Sequence, residues 1–260
     1  MRGKRERKLL GSHQKCWLWG RNVVVETLRA GKWPALELWL ADRLPPDAQR
    51  VAMELATRAE IPVSVEPYDE LTSRCRSAEH QGYLAKMPPY PYDDAANLLR
   101  TPSPCPLYLM LDSIQDPHNF GAIVRSAAVL SAEGIFVRNR EQAEVTSAVA
   151  RSSAGAVNHI PLARVDDLAA CARDLQRLEI QVLGTHVDAQ TKIFECDFCR
   201  PTAVVLGNEG EGIEDDLLAT CDHIVTIPCP GKVDSLNVAA CAGIVLYEAM
   251  RQRSAKGAPS

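Results

Sequence analysis

No stretch of this chain approaches the roughly 18 consecutive apolar residues that a membrane-spanning helix requires. The N-terminus is basic but lacks the apolar stretch of a secretory signal. Both absences point to a cytoplasmic protein. Disulfide staples are also not expected, because the nine cysteines (16, 75, 105, 171, 196, 199, 221, 229 and 241) are scattered along 260 residues, a length that can build its own core. Cys196 and Cys199 form one CxxC, yet no second cysteine pair or histidine pair stands at zinc-ligand spacing, so no metal is expected. The Gly-rich stretch at 207–212 is not closed by Gly-Lys-Ser/Thr and does not follow the G-x-G-x-x-G order, which excludes a Walker loop and a dinucleotide fingerprint there.

What is present is ordinary in bulk and uneven in charge. The chain is 46% hydrophobic and 24% charged, the balance of a globular protein with one or two cores. Six Lys or Arg against Glu6 alone give residues 1–15 a net charge of +5, which leaves −9 on the remaining 245 residues of a chain whose total is −4. A basic arm on an acidic body suggests contact with a phosphate backbone, although a solvated tail would look the same. Arg251, Arg253 and Lys256 make the C-terminal end basic too.

A boundary falls near residue 90. Pro88, Pro89 and Pro91, then Pro102, Pro104 and Pro106, are too many prolines for an internal helix or a central strand. The division is an arm at 1–15, a small α/β domain at 16–90, a Pro-rich linker at 91–105, a larger domain at 106–253 and a tail at 254–260. In the first domain, helices at 21–30, 46–60 and 67–74 alternate with strands at 36–40, 62–65 and 83–86. Trp17, Trp19, Trp33 and Trp39 all fall there and read as packing residues rather than base-stacking platforms. In the second, strands at 107–111, 134–137, 159–162, 181–184, 203–206 and 223–227 alternate with helices at 119–130, 145–150, 166–177 and 236–251. Runs apolar on both faces, such as Ala203-Val204-Val205-Leu206, indicate a parallel sheet covered on both sides. The expected fold is therefore a doubly wound α/β domain preceded by a smaller α/β domain.

Polar residues and glycines gather after three of these strands, where open α/β sheets place ligands. Asn119-Phe120-Gly121 with Arg125 follows the first, Gly207-Asn208-Glu209-Gly210-Glu211-Gly212 follows the fifth, and Ser235-Leu236-Asn237 follows the last. Three glycines let the backbone of the second cluster approach a ligand closely. Ser235 is placed to cap the last helix, and Asn237, a poor helix former, needs another reason to be there. Arg125 lies between Ala122-Ile123-Val124 and Ala127-Ala128-Val129-Leu130, which reads as a buried helix where an unpaired guanidinium would be costly.

Asn119-x-Gly121-x-x-x-Arg125, Leu206-Gly207-Asn208-Glu209-Gly210-x-Gly212 and Ile227-Pro228-x-x-Gly231-x-x-x-Ser235-Leu236-Asn237-Val238 resemble the three ordered motifs of the SpoU, or TrmH-type, branch of the SPOUT RNA 2′-O-ribose methyltransferases. Ser153-Ala154-Gly155-Ala156 between the first two is similar as well. The resemblance covers about residues 106–250. Residues 16–90, with Gly20 near the start and His80-Gln81-Gly82 near the end, resemble the substrate-binding domain of the same branch, related to ribosomal proteins. Motif three departs from the common pattern at Cys229-Pro230, which stiffens the loop but leaves the Gly231 to Ser235 spacing intact.

The resemblance implies a C-terminal trefoil knot, a rare exception to unknotted topology, and a homodimer that completes the active site. It implies S-adenosylmethionine as methyl donor, held by Gly207, Ile227 and Leu236 with Thr185 and His186 as neighbours. It implies transfer to a ribose 2′-hydroxyl of structured RNA, with guanosine in large-subunit rRNA favoured over tRNA. Arg125, Asn119, Glu209, Ser235 and Asn237 would be the catalytic set, with Glu209 holding Arg125. A protonated guanidinium cannot accept a proton. Either the site depresses its pKa severely, or Arg125 is an electrostatic clamp and another group takes the proton; the clamp is favoured. A catalytically inactive RNA-binding or ribosome-assembly module of the same fold is the alternative, and intact polar motif positions argue against it.

Overall fold

Prolines and aspartates start several of the helices, and their placement follows from backbone chemistry. In the computed structural model, which describes residues 16–100, 102–232 and 235–255, Pro46 and Pro117 occupy first-turn positions where a missing N–H costs nothing. Asp116 caps the helix that Pro117 opens, accepting from the His118 N–H at 3.0 Å, and Asp167 caps another through the Ala170 N–H at 3.0 Å. The basic arm at 1–15, Val233, Asp234 and Lys256 lie outside the described residues.

The chain divides into two compact units. The first comprises residues up to Pro91 together with Val145–His159, and the second Tyr92–Glu144 with Ile160 onward.

In the first unit, β1 (Trp17–Trp19), β2 (Glu37–Ala41), β3 (Val63–Glu66) and β4 (Tyr83–Lys86) form a sheet in the order β1-β4-β2-β3. β4 runs antiparallel to both of its neighbours, and β2 pairs with β3 in parallel. Helices α1 (Arg21–Ala30), α2 (Pro46–Arg58) and α3 (Tyr68–Cys75) connect the strands. Trp17, Trp19, Trp39 and Leu84 pack with Leu71 and Cys75 of α3, and the rings of Trp17 and Trp39 stand 4.6 Å apart. All four tryptophans are buried, as expected for packing residues. Segment 145–159 adds α6 (Ser147–Ser152) and a 3-10 turn at Ala156–Asn158. The buried Asn158 amide donates to Thr27 Oγ1 at 3.0 Å, a bond worth about 1 kcal/mol. The exposed Arg151–Glu79 ion pair at 2.5 Å contributes at most about 1 kcal/mol. Buried His80 accepts the Gly82 N–H on Nδ1 at 3.1 Å, so its proton sits on Nε2, facing Thr72 Oγ1 at 2.9 Å. Burial, with Arg43 nearby, holds this imidazole below its usual pKa.

The second unit is a seven-stranded, all-parallel sheet in the order β7-β6-β5-β10-β8-β11-β9. The strands are β5 (Leu107–Leu111), β6 (Gly134–Arg138), β7 (Leu162–Val165), β8 (Gln181–Thr185), β9 (Thr191–Lys192), β10 (Thr202–Leu206) and β11 (His223–Thr226). Every residue of β5 and β10 is buried, which fits strands covered on both faces. The helices are α4 (Ala95–Leu98), α5 (Pro117–Val129), α7 (Leu168–Arg177), α8 (Asp215–Thr220) and α9 (Val238–Ala255). β10 enters between β5 and β8, and the final helix α9 packs on α5, so both ends of the domain sequence meet beside the centre of the sheet. No helix among the described residues is long and apolar enough to cross a membrane.

Some boundaries differ from the sequence reading. The strand expected at 159–162 begins at Leu162, because the 3-10 turn and Pro161 occupy the preceding residues. The last helix starts at Val238 rather than Leu236. β1, β9 and α8 were not expected: β1 is too short and too uniformly apolar to show alternation, and β9 has two exposed residues.

Candidate active site

Three segments leave the sheet after β5, its neighbour β10, and β11, which β8 separates from β10. β5 leads into α5, whose first turn carries Asn119. β10, beside β5, leads into the Gly-rich loop with Glu209. The segment after β11 ends at Asn237, just before α9.

The structure joins these three residues by hydrogen bonds. Glu209 Oε1 accepts from Asn119 Nδ2 at 2.6 Å and from Asn237 Nδ2 at 2.8 Å, and Asn237 Nδ2 also donates to Asn119 Oδ1 at 3.0 Å. Asn237 Oδ1 accepts the Ala239 N–H at 2.9 Å. Asn237, not Ser235, therefore caps α9, a correction to the sequence reading; the helix begins two residues later than expected, and the carboxamide is already aimed at its first free N–H. Asn119 and Asn237 each belong to a helix start, so the Glu209 carboxylate faces the positive ends of two helices. Glu209 Oε2 carries none of these bonds.

The Gly-rich loop is closed on itself. Asn208 and Gly212 exchange both backbone hydrogen bonds at 3.1 Å, and Asn208 Oδ1 accepts the N–H groups of Gly210 at 2.8 Å and Glu211 at 2.7 Å. A Cβ on Gly207 would stand 2.1 Å from the Gly212 carbonyl carbon, so the space that a side chain would need at 207 is filled by the loop's own backbone. Gly212 adopts φ +75, a conformation glycine takes without strain.

Arg125 does not lie where the sequence suggested. It is exposed on α5, whose packed side is Phe120, Gly121, Ile123, Val124 and Ala127, and it has no hydrogen-bond or ion-pair partner among the described residues. Glu209, expected to hold it, instead accepts from the two asparagines. Ser235 is exposed and makes no hydrogen bond among the described residues.

Three of the four residues expected around the cofactor lie at strand ends, and the fourth, Leu236, lies just before α9. Thr185 ends β8 with its hydroxyl on the Val205 carbonyl at 2.9 Å, Gly207 follows β10, and Ile227 follows β11. Leu236, 40% exposed, is a large apolar side chain left uncovered beside the asparagine that caps α9. Half-buried Ile227 and uncovered Leu236 suit an adenosine, which needs apolar walls. His186 is exposed, its Nδ1 accepting the Asp188 N–H at 3.2 Å.

A model of the SpoU rRNA Methylase family matches residues 106–247, and a model described as RNA 2'-O ribose methyltransferase substrate binding matches residues 17–93. The chain belongs to the SpoU methylase family. A TrmH family tRNA/rRNA methyltransferase of Bacillus subtilis (strain 168) is 34% identical over 249 residues, 95% of this chain and 99% of that protein. The SpoU methyltransferase AviRb of Streptomyces viridochromogenes, solved with AdoMet, superposes with a TM-score of 0.78 at 27% identity, covering 92% of this chain and 90% of that one. An AdoMet-bound rRNA methyltransferase from Sinorhizobium meliloti gives 0.78 at 25% identity over 94% and 90%. In contrast, the structure described as A. aeolicus TrmH/SpoU tRNA modifying enzyme, 27% identical, covers 63% of this chain and 83% of that one, with a TM-score of 0.55. This SpoU family member is an RNA 2′-O-methyltransferase that uses S-adenosylmethionine.

The cysteines are free, Cys196 and Cys199 among them, and no group of three or more His, Cys, Asp or Glu able to hold a metal ion occurs among the described residues. The site residue that sequence reasoning missed is Asn208. Its position inside the Gly-rich motif was visible, but its use as the acceptor that folds the turn was not. An Asn two residues before a Gly is the one available signal.

Proposed function

We propose that this enzyme methylates a ribose 2′-hydroxyl in structured ribosomal RNA, with large-subunit guanosine as the target class. The observation that carries the assignment of the site is the hydrogen-bonded trio Asn119, Glu209 and Asn237, which brings residues of all three motifs to one place. Preference for rRNA rests on coverage: the relative described as an rRNA methyltransferase matches nearly the whole chain, whereas the one described as tRNA modifying matches less than two thirds. Residues 16–90 would choose the RNA and residues 106–253 would carry out transfer.

When bound, S-adenosylmethionine supplies a methyl group activated by a sulfonium. Gly207, Ile227, Leu236 and Thr185 would hold it. The protein's own part is orientation and charge handling. Asn119 retains one amide N–H and one oxygen lone pair beyond its bonds in the trio, enough to orient a ribose hydroxyl. Glu209 Oε2, unused in the trio, would accept the hydroxyl proton. Arg125, exposed and without a hydrogen-bond or ion-pair partner among the described residues, would clamp an RNA phosphate, since its guanidinium has no acceptor site. Ser235 would contact the ribose or the donor.

A trefoil knot and a homodimer complete the proposal. Entry of β10 between β5 and β8, with α9 packed back on α5, supports the knot. α9 is apolar on more than its packed side: Ile244 is 39% and Tyr247 56% exposed, and Val129 at the end of α5 is 73% exposed. A second copy of the chain would cover them. Nine free cysteines suit a reducing cytoplasm.

Incubation with labelled S-adenosylmethionine and separated rRNA and tRNA, followed by nuclease digestion, tests the assignment. Label should appear in large-subunit rRNA at one alkali-resistant dinucleotide. Label on a base, or in tRNA alone, would refute it.

A further inference from the structure

Asp112 is a buried carboxylate outside the motif residues considered so far. It is 2% exposed and lies where β5 ends and the path to α5 begins. Its backbone N–H donates to the Leu206 carbonyl at 2.9 Å, and its Oδ2 accepts the Glu214 N–H at 2.8 Å. Leu206 is the last residue before the Gly-rich loop and Glu214 is the first after Ile213. The backbone of residue 112 thus holds the first foot of the loop that carries Gly207 and Glu209, and its carboxylate holds the second.

Arg138, at the end of β6, completes the arrangement. Its Nε stands 2.9 Å from Asp112 Oδ1 as an ion pair whose N–H is not aligned as a hydrogen bond, and its guanidinium reaches the Glu214 carboxylate. Ser113 Oγ donates to Asp112 Oδ1 at 3.2 Å. The hydrogen bond to Glu214, followed by the charges of Asp112 and Glu214, holds the Arg138 pKa above its ordinary value, and the same contact with Arg138 lowers that of Glu214. A buried ion pair is a poor device for stability alone, because desolvation offsets much of its attraction and apolar packing does as well. It is a good device for fixing one geometry.

We propose that Asp112 is a positioning residue for methyl transfer: with Arg138 its carboxylate fixes the Glu214 end of the loop 207–213, and so sets where Glu209 stands against Asn119 and Asn237. The loop's interior is already closed through Asn208, so motion at its Glu214 foot would carry Glu209 as a body. The inference rests on the catalytic role proposed for Glu209.

Asp112→Ala, Arg138→Gln and Glu209→Ala, singly and as the doubles D112A/E209A and R138Q/E209A, should be compared in single-turnover methylation with labelled donor, alongside thermal melts and RNA affinity. D112A is expected to slow transfer by about 100-fold, the scale of a misplacement near 1 Å, with RNA affinity unchanged. In the E209A background it should slow transfer no further, because both changes disable the same group. A merely structural role would multiply the two losses, and that result, or D112A at the wild-type rate, overturns the inference. E209A at the wild-type rate would overturn the reading of Glu209 itself, whatever D112A does. Should D112A not melt cooperatively, D112N, which keeps an acceptor for the Glu214 N–H while losing the charge, takes its place, and R138Q tests the same coupling from the other partner.

Discussion

Asn237 acts in two directions at once, capping α9 with its oxygen and reaching Asn119 and Glu209 with its nitrogen. That double use answers why a poor helix former stands there. It also leaves Glu209 with one oxygen filled and one open, which separates two roles the residue could have. Glu209→Gln keeps a carbonyl oxygen able to accept both asparagine N–H groups but removes the anionic acceptor. Transfer by E209Q should therefore fall by about 100-fold or more, while melting temperature and donor affinity stay near wild type; activity within a few-fold of wild type would show that Glu209 only orients its neighbours. That the trio shares a site was legible from motif order. Which partner Glu209 takes was not, because apolar residues on both sides of Arg125 in sequence hide which side of α5 is packed, and only the packed side decides that Arg125 faces solvent.

At the scale of elements, long periodic segments were legible and short ones were not. α7 shows its apolar spacing plainly, and Leu107–Leu111 and Tyr83–Lys86 fall where the apolar runs begin and end. β7 was displaced because a 3-10 turn carries no periodicity of its own, and β1 is three buried residues without an alternating face. The Gly-rich loop carries Glu209, to which the proton-accepting role is proposed. Its glycines are not equivalent: a Cβ at Gly207 would collide with the Gly212 backbone, whereas one at Gly210 would meet only Asn208 Oδ1 at 3.5 Å, an ordinary contact. Gly207→Ala should cost about 1–3 kcal/mol of stability and weaken donor binding in calorimetry, and Gly210→Ala should leave stability nearly unchanged. Equal effects of the two would mean that the loop is not closed as described.

For the whole molecule, the uncovered apolar side chains of α9 and α5 bear on assembly. If the proposed dimer uses this face, Tyr247→Asp should shift the protein from dimer to monomer in light scattering and reduce transfer with it, since a charge placed in an apolar contact is left without a partner. A variant that stays dimeric would place the interface elsewhere. The all-parallel sheet and its covered faces were legible from uninterrupted apolar strands; the strand order was not, because nothing in β10 itself says that it belongs between β5 and β8. That order has a consequence during synthesis. On the ribosome β5 and β8 emerge first, yet the strand that joins them arrives only later, so the nascent chain carries two unpaired apolar edges until Leu206 is out. A chain ended ahead of Thr202 would lack the strand that joins β5 to β8, and its open edges would be templates for pairing with another chain.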